Sequence, residues 1–392
     1  MANVGFWEST RPLRKLLTWS GQLRPPLLTK RILLWLATTG SLVLLTVLST
    51  VQLLIEAATQ LGSALEILTI LVTFLESCLR VAYLSARHRE IYYLMAKCQS
   101  FPVSCASFAN SERMLNQRVK TRSRQVLYFC CGYVFMVLAG YLSLPFIPRG
   151  AAETTSDITA SIVRKYPLYI PMWTPFGPNA LKVSPIYQLV VVWQAWAFIV
   201  LVSVFCCADC LLYSFIIFLH EAMQHLSRLS PNQRKTNQKS NLSKDEYKIW
   251  IRQHQFILEI ATDVENLFSP IILTTFLTNG FVMCVLAYVL VKISDIIGIL
   301  CLSGHLSCIV AKLYVMARFG QILIDESTRL KSYMTFKTWP EMGRQRDAQI
   351  IGIRCSTPMT LTGMKYFDLS VEFFGRVCSV ALSYFIVLLQ IH

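Results

Sequence analysis

The sequence predicts an all-α membrane protein: seven transmembrane helices, N-terminus cytoplasmic and C-terminus extracellular, with helical extensions into the cytoplasm. Three observations carry this. Hydrophobic residues make up 54% of the 392-residue chain and charged residues only 15%, more apolar surface than a soluble fold of this size hides. The apolar residues gather into seven runs of bilayer-spanning length, at about 32–54, 65–84, 126–146, 188–219, 269–291, 295–316 and 370–391. Lys and Arg then fall on alternate sides of these runs. The N-terminal tail and the second, fourth and sixth loops hold 6, 8, 7 and 7, whereas the first, third and fifth hold 0, 4 and 1. Basic residues are retained on the cytoplasmic side, which orients the chain opposite to a G-protein-coupled receptor of the same span count.

The elements follow in order. Residues 1–31 carry six basic residues and Pro25-Pro26, with no short apolar core ending at a small-residue cleavage site, so the first span is the expected insertion signal. The second loop, 85–125, mixes weakly apolar and basic residues and reads as a topology anchor at the lipid surface. The fourth span contains neither Gly nor Pro over 188–219, which predicts one helix running past Asp209 into the cytoplasm. Residues 220–268 and 317–364 are predicted cytoplasmic elements. Within them, Ile249, Phe256, Ile257, Ile260, Val264, Leu267 and Phe268 recur at helical spacing opposite Arg252, Glu259 and Asp263, predicting an amphipathic helix that feeds the fifth span near Pro270. Residues 230–243 read as disordered.

Composition also excludes. The net charge of +15 is spread over short loops beside the spans, as membrane orientation and anionic lipid require, and not as a nucleic-acid patch. The thirteen cysteines avoid the predicted extracellular loops, so reduced thiols and no disulfide framework are expected. The sequon Asn241-Leu242-Ser243 falls on the predicted inside. His220-Glu221-Ala222-Met223-Gln224-His225 fails as a zinc site, because i, i+5 spacing turns the two imidazoles about 140° apart. Cys207-Ala208-Asp209-Cys210 has no second Cys pair. Gly-x-Ser-x-Gly, Walker A and paired-glycine nucleotide motifs are absent, and no cluster of Asp, Glu or His is expected within the spans. No enzyme activity, cofactor or metal is predicted. Asp-Arg-Tyr after the third span and Asn-Pro-x-x-Tyr in the seventh, expected of a G-protein-coupled receptor, are also missing.

The last span carries the sharpest pattern. With Asp368 or Ser370 as N-cap, residues 371–391 form a helix on which Glu372, Arg376, Ser379, Ser383, Val387 and Gln390 recur at steps of 4, 3, 4, 4 and 3, one narrow polar stripe on an apolar cylinder. Such a stripe needs protein or water beside it. The two serines can bond to their own backbone while Gln390 lies at the headgroups; alternatively, several copies enclose a pore, with Val387 as the apolar constriction and Gln390 offering amide oxygens to cations.

Residues 339–391 resemble the insect odorant receptor family. The resemblance rests on Leu361-Thr362-Gly363-Met364-Lys365-Tyr366-Phe367, Leu369-Ser370-Val371-Glu372-Phe373-Phe374-Gly375 and the closing Ser383-Tyr384, five apolar residues, Gln390-Ile391. It implies a ligand-gated, non-selective cation channel in the plasma membrane of a sensory neuron dendrite, with the cytoplasmic helical extensions, residues 220–268 and 317–364, forming an anchor region. It also implies a tuned subunit, because the longer fourth loop of the coreceptor is absent, working in a heterotetramer with a coreceptor and gated by a small volatile odorant. Its gate positions match Val387, Gln390 and Ile391, with Ser379 and Ser383 on the same pore edge. The family's odorant pocket, between the second, third, fourth and sixth spans, corresponds to Phe74, Met136, Gly140, Tyr141, Leu144, Trp193, Trp196 and Ser303, with Tyr187 at the rim. Aromatic rings and a thioether with few polar atoms suit an apolar ligand. Arg376 would oppose cations in a pore, so it faces a neighbour or the inner vestibule. A gustatory receptor of the same superfamily and a seven-span G-protein-coupled transducer are the competing readings.

Overall fold

The computed structural model describes residues 10–19, 28–57, 61–101, 109–143, 185–228, 244–292, 296–333 and 345–390. They form ten helices: α1 (Arg11–Trp19), α2 (Leu28–Ala57), α3 (Leu61–Ala86), α4 (His88–Gln99), α5 (Ala109–Ser143), α6 (Ile186–Arg228), α7 (Lys244–Lys292), α8 (Ile296–Tyr333), α9 (Gln345–Ser356) and α10 (Val371–Gln390). The described parts of the predicted spans fall on the long helices α2, α3, α5, α6, α7, α8 and α10. Among the described residues, five stretches are long and apolar enough to cross a bilayer: Trp35–Ala57, Ile67–Ala86, Ile186–Arg228, Lys248–Val291 and Leu302–Lys331.

Two expectations about continuity hold. With no helix breaker, α6 runs unbroken for 43 residues. α7 passes through Pro270 for 49 residues. Proline there removes one backbone donor, but Phe268, Ile271 and Ile272 on either side are all buried, and this packing keeps the two halves in one helix. The predicted apolar stripe of its first half turns inward, with Ile257, Ile260, Val264, Leu267 and Phe268 buried within the chain.

The extensions of α6, α7 and α8 beyond the predicted spans build a common core. Phe101 meets Phe218 and Phe256 edge-on at 6.1 and 5.8 Å. Trp250 donates its indole N–H to the Leu226 carbonyl at 3.1 Å, and Tyr213 stacks on Phe319 at 4.4 Å. Two elements depart from the sequence reading. The N-terminal tail contains α1, whose Leu13 and Leu17 are buried in this core. The second loop is more than a surface anchor. Its α4 buries Ile91, Leu94, Met95 and Cys98 at helical spacing, while Lys97 pairs with Asp263 at 2.6 Å and Arg122 with Glu221 at 2.6 Å. Partners on distant segments take up those cations, which is why local composition misassigned them.

The segment before α10 is a compact knot. Leu369 N–H donates to the Leu361 carbonyl at 2.7 Å, and Thr362 and Asp368 form an isolated bridge. Met364 and Lys365 adopt φ of 49° and 64°, a region that L-residues with side chains rarely enter. The Met364 N–H donates to Ser269 Oγ and the Lys365 N–H to Thr362 Oγ1, which holds the turn in place. A Cβ on Gly363 would meet the Phe367 ring at 2.3 Å, and one on Gly320 of α8 would meet the Leu369 carbonyl oxygen at 2.2 Å. Glycine at both sites is therefore a condition of close approach.

Two predictions follow from this packing. Gly320→Ala should destabilise the protein by about 1–3 kcal/mol, since a backbone oxygen must give way; an unchanged melting temperature in detergent would refute the contact. His225 and His254, outside the predicted spans, are each held down to about 4, chiefly by burial and next by Arg228 and Arg354. An unfolded imidazole takes its proton near 6.5, so the stability that these neutral rings confer is complete above that pH and is lost as pH falls toward 4. Melting temperature should drop from pH 7.5 to pH 5, and His254→Phe should flatten part of that slope; an identical slope in the variant would remove His254 from the account.

Candidate functional site

The predicted pocket residues divide. Phe74 on α3, fully buried, joins Trp193 and Trp196 on α6 in one apolar cluster with Ala197, Val200 and Val204. The i, i+3 and i+7 spacing of the α6 members puts them on a single face. Leu42 and Leu45 of α2 complete the cluster, so the first predicted span contributes where the sequence reading placed only the second, third, fourth and sixth. Ser303 lies on α8 and is half-buried. Its hydroxyl donates to the Leu300 carbonyl at 3.0 Å, and the adjacent Leu302 packs with Val285, Tyr288 and Val289 of α7. Tyr187 is half-buried at the start of α6. Met136, Gly140 and Tyr141 fall on α5 with side chains outside the described set, and Leu144 and Ile391 lie outside the described residues. A cavity lined by Met223, His254, Ile257 and Cys355 belongs to the anchor-side core and contains none of the predicted pocket residues.

The predicted gate residues stand on α10. Ser370 is its N-cap, accepting the Phe373 N–H at 3.1 Å, while Asp368 is used in the preceding bridge. One side of α10 is mounted on the bundle. Phe373 lies 5.3 Å from Phe276 of α7, Phe374 lies 5.7 Å from Tyr314 of α8, and Phe367 stacks on Phe373 at 3.8 Å. The other side faces away from the protomer. Glu372, Arg376, Ser379, Ser383, Val387 and Gln390 are all exposed. Arg376 pairs with Glu372 one turn earlier at 2.5 Å, so the stripe carries no net charge at that level. Ser379 and Ser383 donate to the Gly375 and Ser379 carbonyls at 3.0 and 2.9 Å. Their oxygens remain free to accept from water.

A third constellation corrects the expectation that the spans hold no acidic cluster. Glu76 and Arg80 of α3 and Asp209 of α6 meet in the interior, all buried. Arg80 donates to Glu76 at 3.1 Å, to Asp209 at 2.9 Å and to the Thr275 hydroxyl of α7 at 2.5 Å. The second Glu76 oxygen accepts from Thr278 at 2.7 Å and Asn279 at 3.3 Å. The Phe205 ring lies 4.6 Å from the Arg80 guanidinium carbon and 4.2 Å from the Lys312 ammonium of α8. Two cations and two carboxylates balance. Sequence reading missed the group because Arg80 and Asp209 are 129 residues apart; the i, i+4 spacing of Glu76 and Arg80 was the only local signal. Among the described residues no group of His, Cys, Asp and Glu is arranged to hold a metal ion.

This architecture has relatives. The family described as 7tm odorant receptor matches residues 60–382. The chain is 22% identical to odorant receptor Or2 of Anopheles gambiae, over 58% of this chain and 64% of that one. It is 25% identical to the odorant receptor coreceptor of the same species over 40% of this chain, a match that spans only 33% of the coreceptor's length. The insect olfactory receptor OR5 of Machilis hrabei, solved in complex with eugenol, shares the fold over the whole of both chains, with a TM-score of 0.78 at 18% identity. With the family pattern running from α3 into the mounted helix α10, the chain belongs to the insect odorant receptor family.

Proposed function

We propose that this protein is the odour-tuned subunit of a non-selective cation channel in the plasma membrane, assembled with a coreceptor as a heterotetramer. A small volatile, mostly apolar ligand enters the outer half of the bundle beside Phe74, Trp193 and Trp196, with Tyr141 and its neighbours on α5 completing the wall. The pore is lined by α10 from each subunit, with Val387 and Gln390 as the gate. The N-terminus is cytoplasmic and the C-terminus extracellular.

One observation supports this reading above the others. The polar edge of α10 is left uncovered by its own protomer, while the opposite edge is anchored by Phe373, Phe374 and Val377. In a bilayer, exposed Ser, Gln and ion-paired side chains are stable only against water or polar protein. A ring of α10 copies supplies both. Val387, 49% exposed in the protomer, is then the narrow apolar collar that closes by dewetting, and Gln390 replaces part of the hydration of a passing ion. Similarity to OR5, whose structure holds eugenol, and to named coreceptors supports the ligand class and the partner.

The test is expression with and without a coreceptor, recording current evoked by a panel of volatile phenols, esters, aldehydes and alcohols. Two predictions separate the parts. Val387→Ala or Gln390→Glu should change cation permeability ratios or block, and unchanged permeation in both would defeat the pore assignment. Trp193→Ala should shift the half-maximal odour concentration by about tenfold or more, equivalent to about 1.4 kcal/mol, with ion selectivity intact; a change in selectivity with no change in potency would move Trp193 out of the pocket.

A further inference from the structure

We propose that the Glu76–Arg80–Asp209 network, with Phe205 against it, is the element that couples ligand occupancy to the pore helix. The inference rests on the channel reading above.

The physical path is continuous. Phe205 packs against the same apolar cluster that contains Phe74, Trp193 and Trp196. Its ring lies against both buried cations, Arg80 and Lys312. A ligand inserted among those aromatic rings cannot be accommodated without repacking, because protein interiors have no spare volume to absorb it. Displacement of Phe205 therefore moves the surface on which Arg80 is held. Arg80 in turn bonds three helices at once, through Glu76 of its own α3, Asp209 of α6 and Thr275 of α7.

α7 carries the displacement onward, because it has two working faces. Thr275, Thr278 and Asn279 point into the network. Phe276 and Gly280, each one residue further on and so about 100° around the helix, meet α10. Phe276 packs on Phe367 and Phe373 at 5.5 and 5.3 Å, and a Cβ on Gly280 would lie 3.6 Å from Val377. A rotation or slide of α7 that rearranges one face must move the other. Hydrogen-bonded ion networks suit such a role, since their partners exchange between discrete arrangements and do not deform continuously.

The experiment uses the full chain co-expressed with a coreceptor, the same volatile panel as probe, and three readouts: surface abundance, half-maximal concentration and cation permeability ratio. The triple variant Glu76→Gln/Arg80→Met/Asp209→Asn, made in a Lys312→Met background, removes both carboxylates and both cations together, so no lone buried ion is left behind. It should reach the surface, keep wild-type permeability ratios and shift the half-maximal concentration by about tenfold, within the range of coupling mutations. Phe205→Leu should shift it as well, and adding Phe205→Leu to the triple variant should add less than its own effect. Arg80→Lys, which keeps the charge but loses the planar fork, should recover part of the shift. A triple variant at the surface with a wild-type concentration curve overturns the proposal, as do fully additive shifts. Should the triple variant stay off the surface, the cycle of Arg80→Lys and Phe205→Leu decides, since neither strands a charge, and additive shifts there overturn it. A wild-type chain at the surface that passes no odour-evoked current would instead sink the channel reading itself, taking the coupling proposal with it.

Discussion

A guanidinium buried among apolar helices is tolerable only if carboxylates and hydroxyls reach it from several directions. Arg80 imposes that condition on this fold. Removing an arginine from water costs several kcal/mol before any partner is counted. The partners come from α3, α6 and α7, so those three helices share one register: Asp209 must lie level with Arg80, and Thr275 level with both. Replacing Arg80 alone would strand two carboxylates, a change of the class that costs about 3–5 kcal/mol. The apolar surface around the network holds the helices together without preference for register, since one turn of leucines packs much like the next. The network supplies the preference. It also fixes Phe205, and through Phe205 the lower edge of the aromatic cluster that holds Phe74 and Trp193.

The second fixed point is the knot at 361–370. Here several residues of the segment that carried the family likeness acquire a physical task. Leu361 and Leu369 are buried and paired through the backbone, and Thr362 donates to Glu265 at 2.7 Å. Gly363 makes room for the Phe367 ring, which stacks on Phe373. Met364 and Lys365 turn the chain through left-handed geometry, strain that the Ser269 and Thr362 hydrogen bonds offset. The result is a rigid mount that ties the start of α10 to α7 and, through Gly320, to α8.

What was legible in the sequence follows from range. The five described stretches of spanning length and the unbroken α6 were readable because span length and the absence of breakers are local properties. The stripe on α10 was readable because helical spacing alone places it, and its exposure needed only the knowledge that Phe373, Phe374 and Val377 face the other way. The failures share the opposite character. α4 looked like a basic surface segment because Asp263, the partner of Lys97, is 166 residues away. Glu76 lies one turn from Arg80, but nothing local announces Asp209, 129 residues further on, as the second partner of the same guanidinium.

Among its described side chains, α10 buries only Ala381. Its exposed surface has two kinds of edge. Val380, Leu382 and Ile386 flank the stripe and are apolar, whereas Ser379, Ser383 and Gln390 within it are polar. Lipid suits the flanks and not the stripe; water suits the stripe and not the flanks. On the proposed channel reading both demands are met by one arrangement, in which the flanks of adjacent copies pack on one another and the stripes turn to a common aqueous axis. The pairing of Arg376 with Glu372 fits the same geometry, because a free cation on each of several facing helices would repel permeating cations and its own copies alike, whereas the neutralised pair leaves only dipoles at that level. The mount at 361–370 then has a mechanical reason to be stiff. A helix held on one side only transmits motion from α7 to the axis to the extent that its attachment does not bend, and stacked rings on a backbone-paired turn resist bending where a flexible linker would absorb the movement.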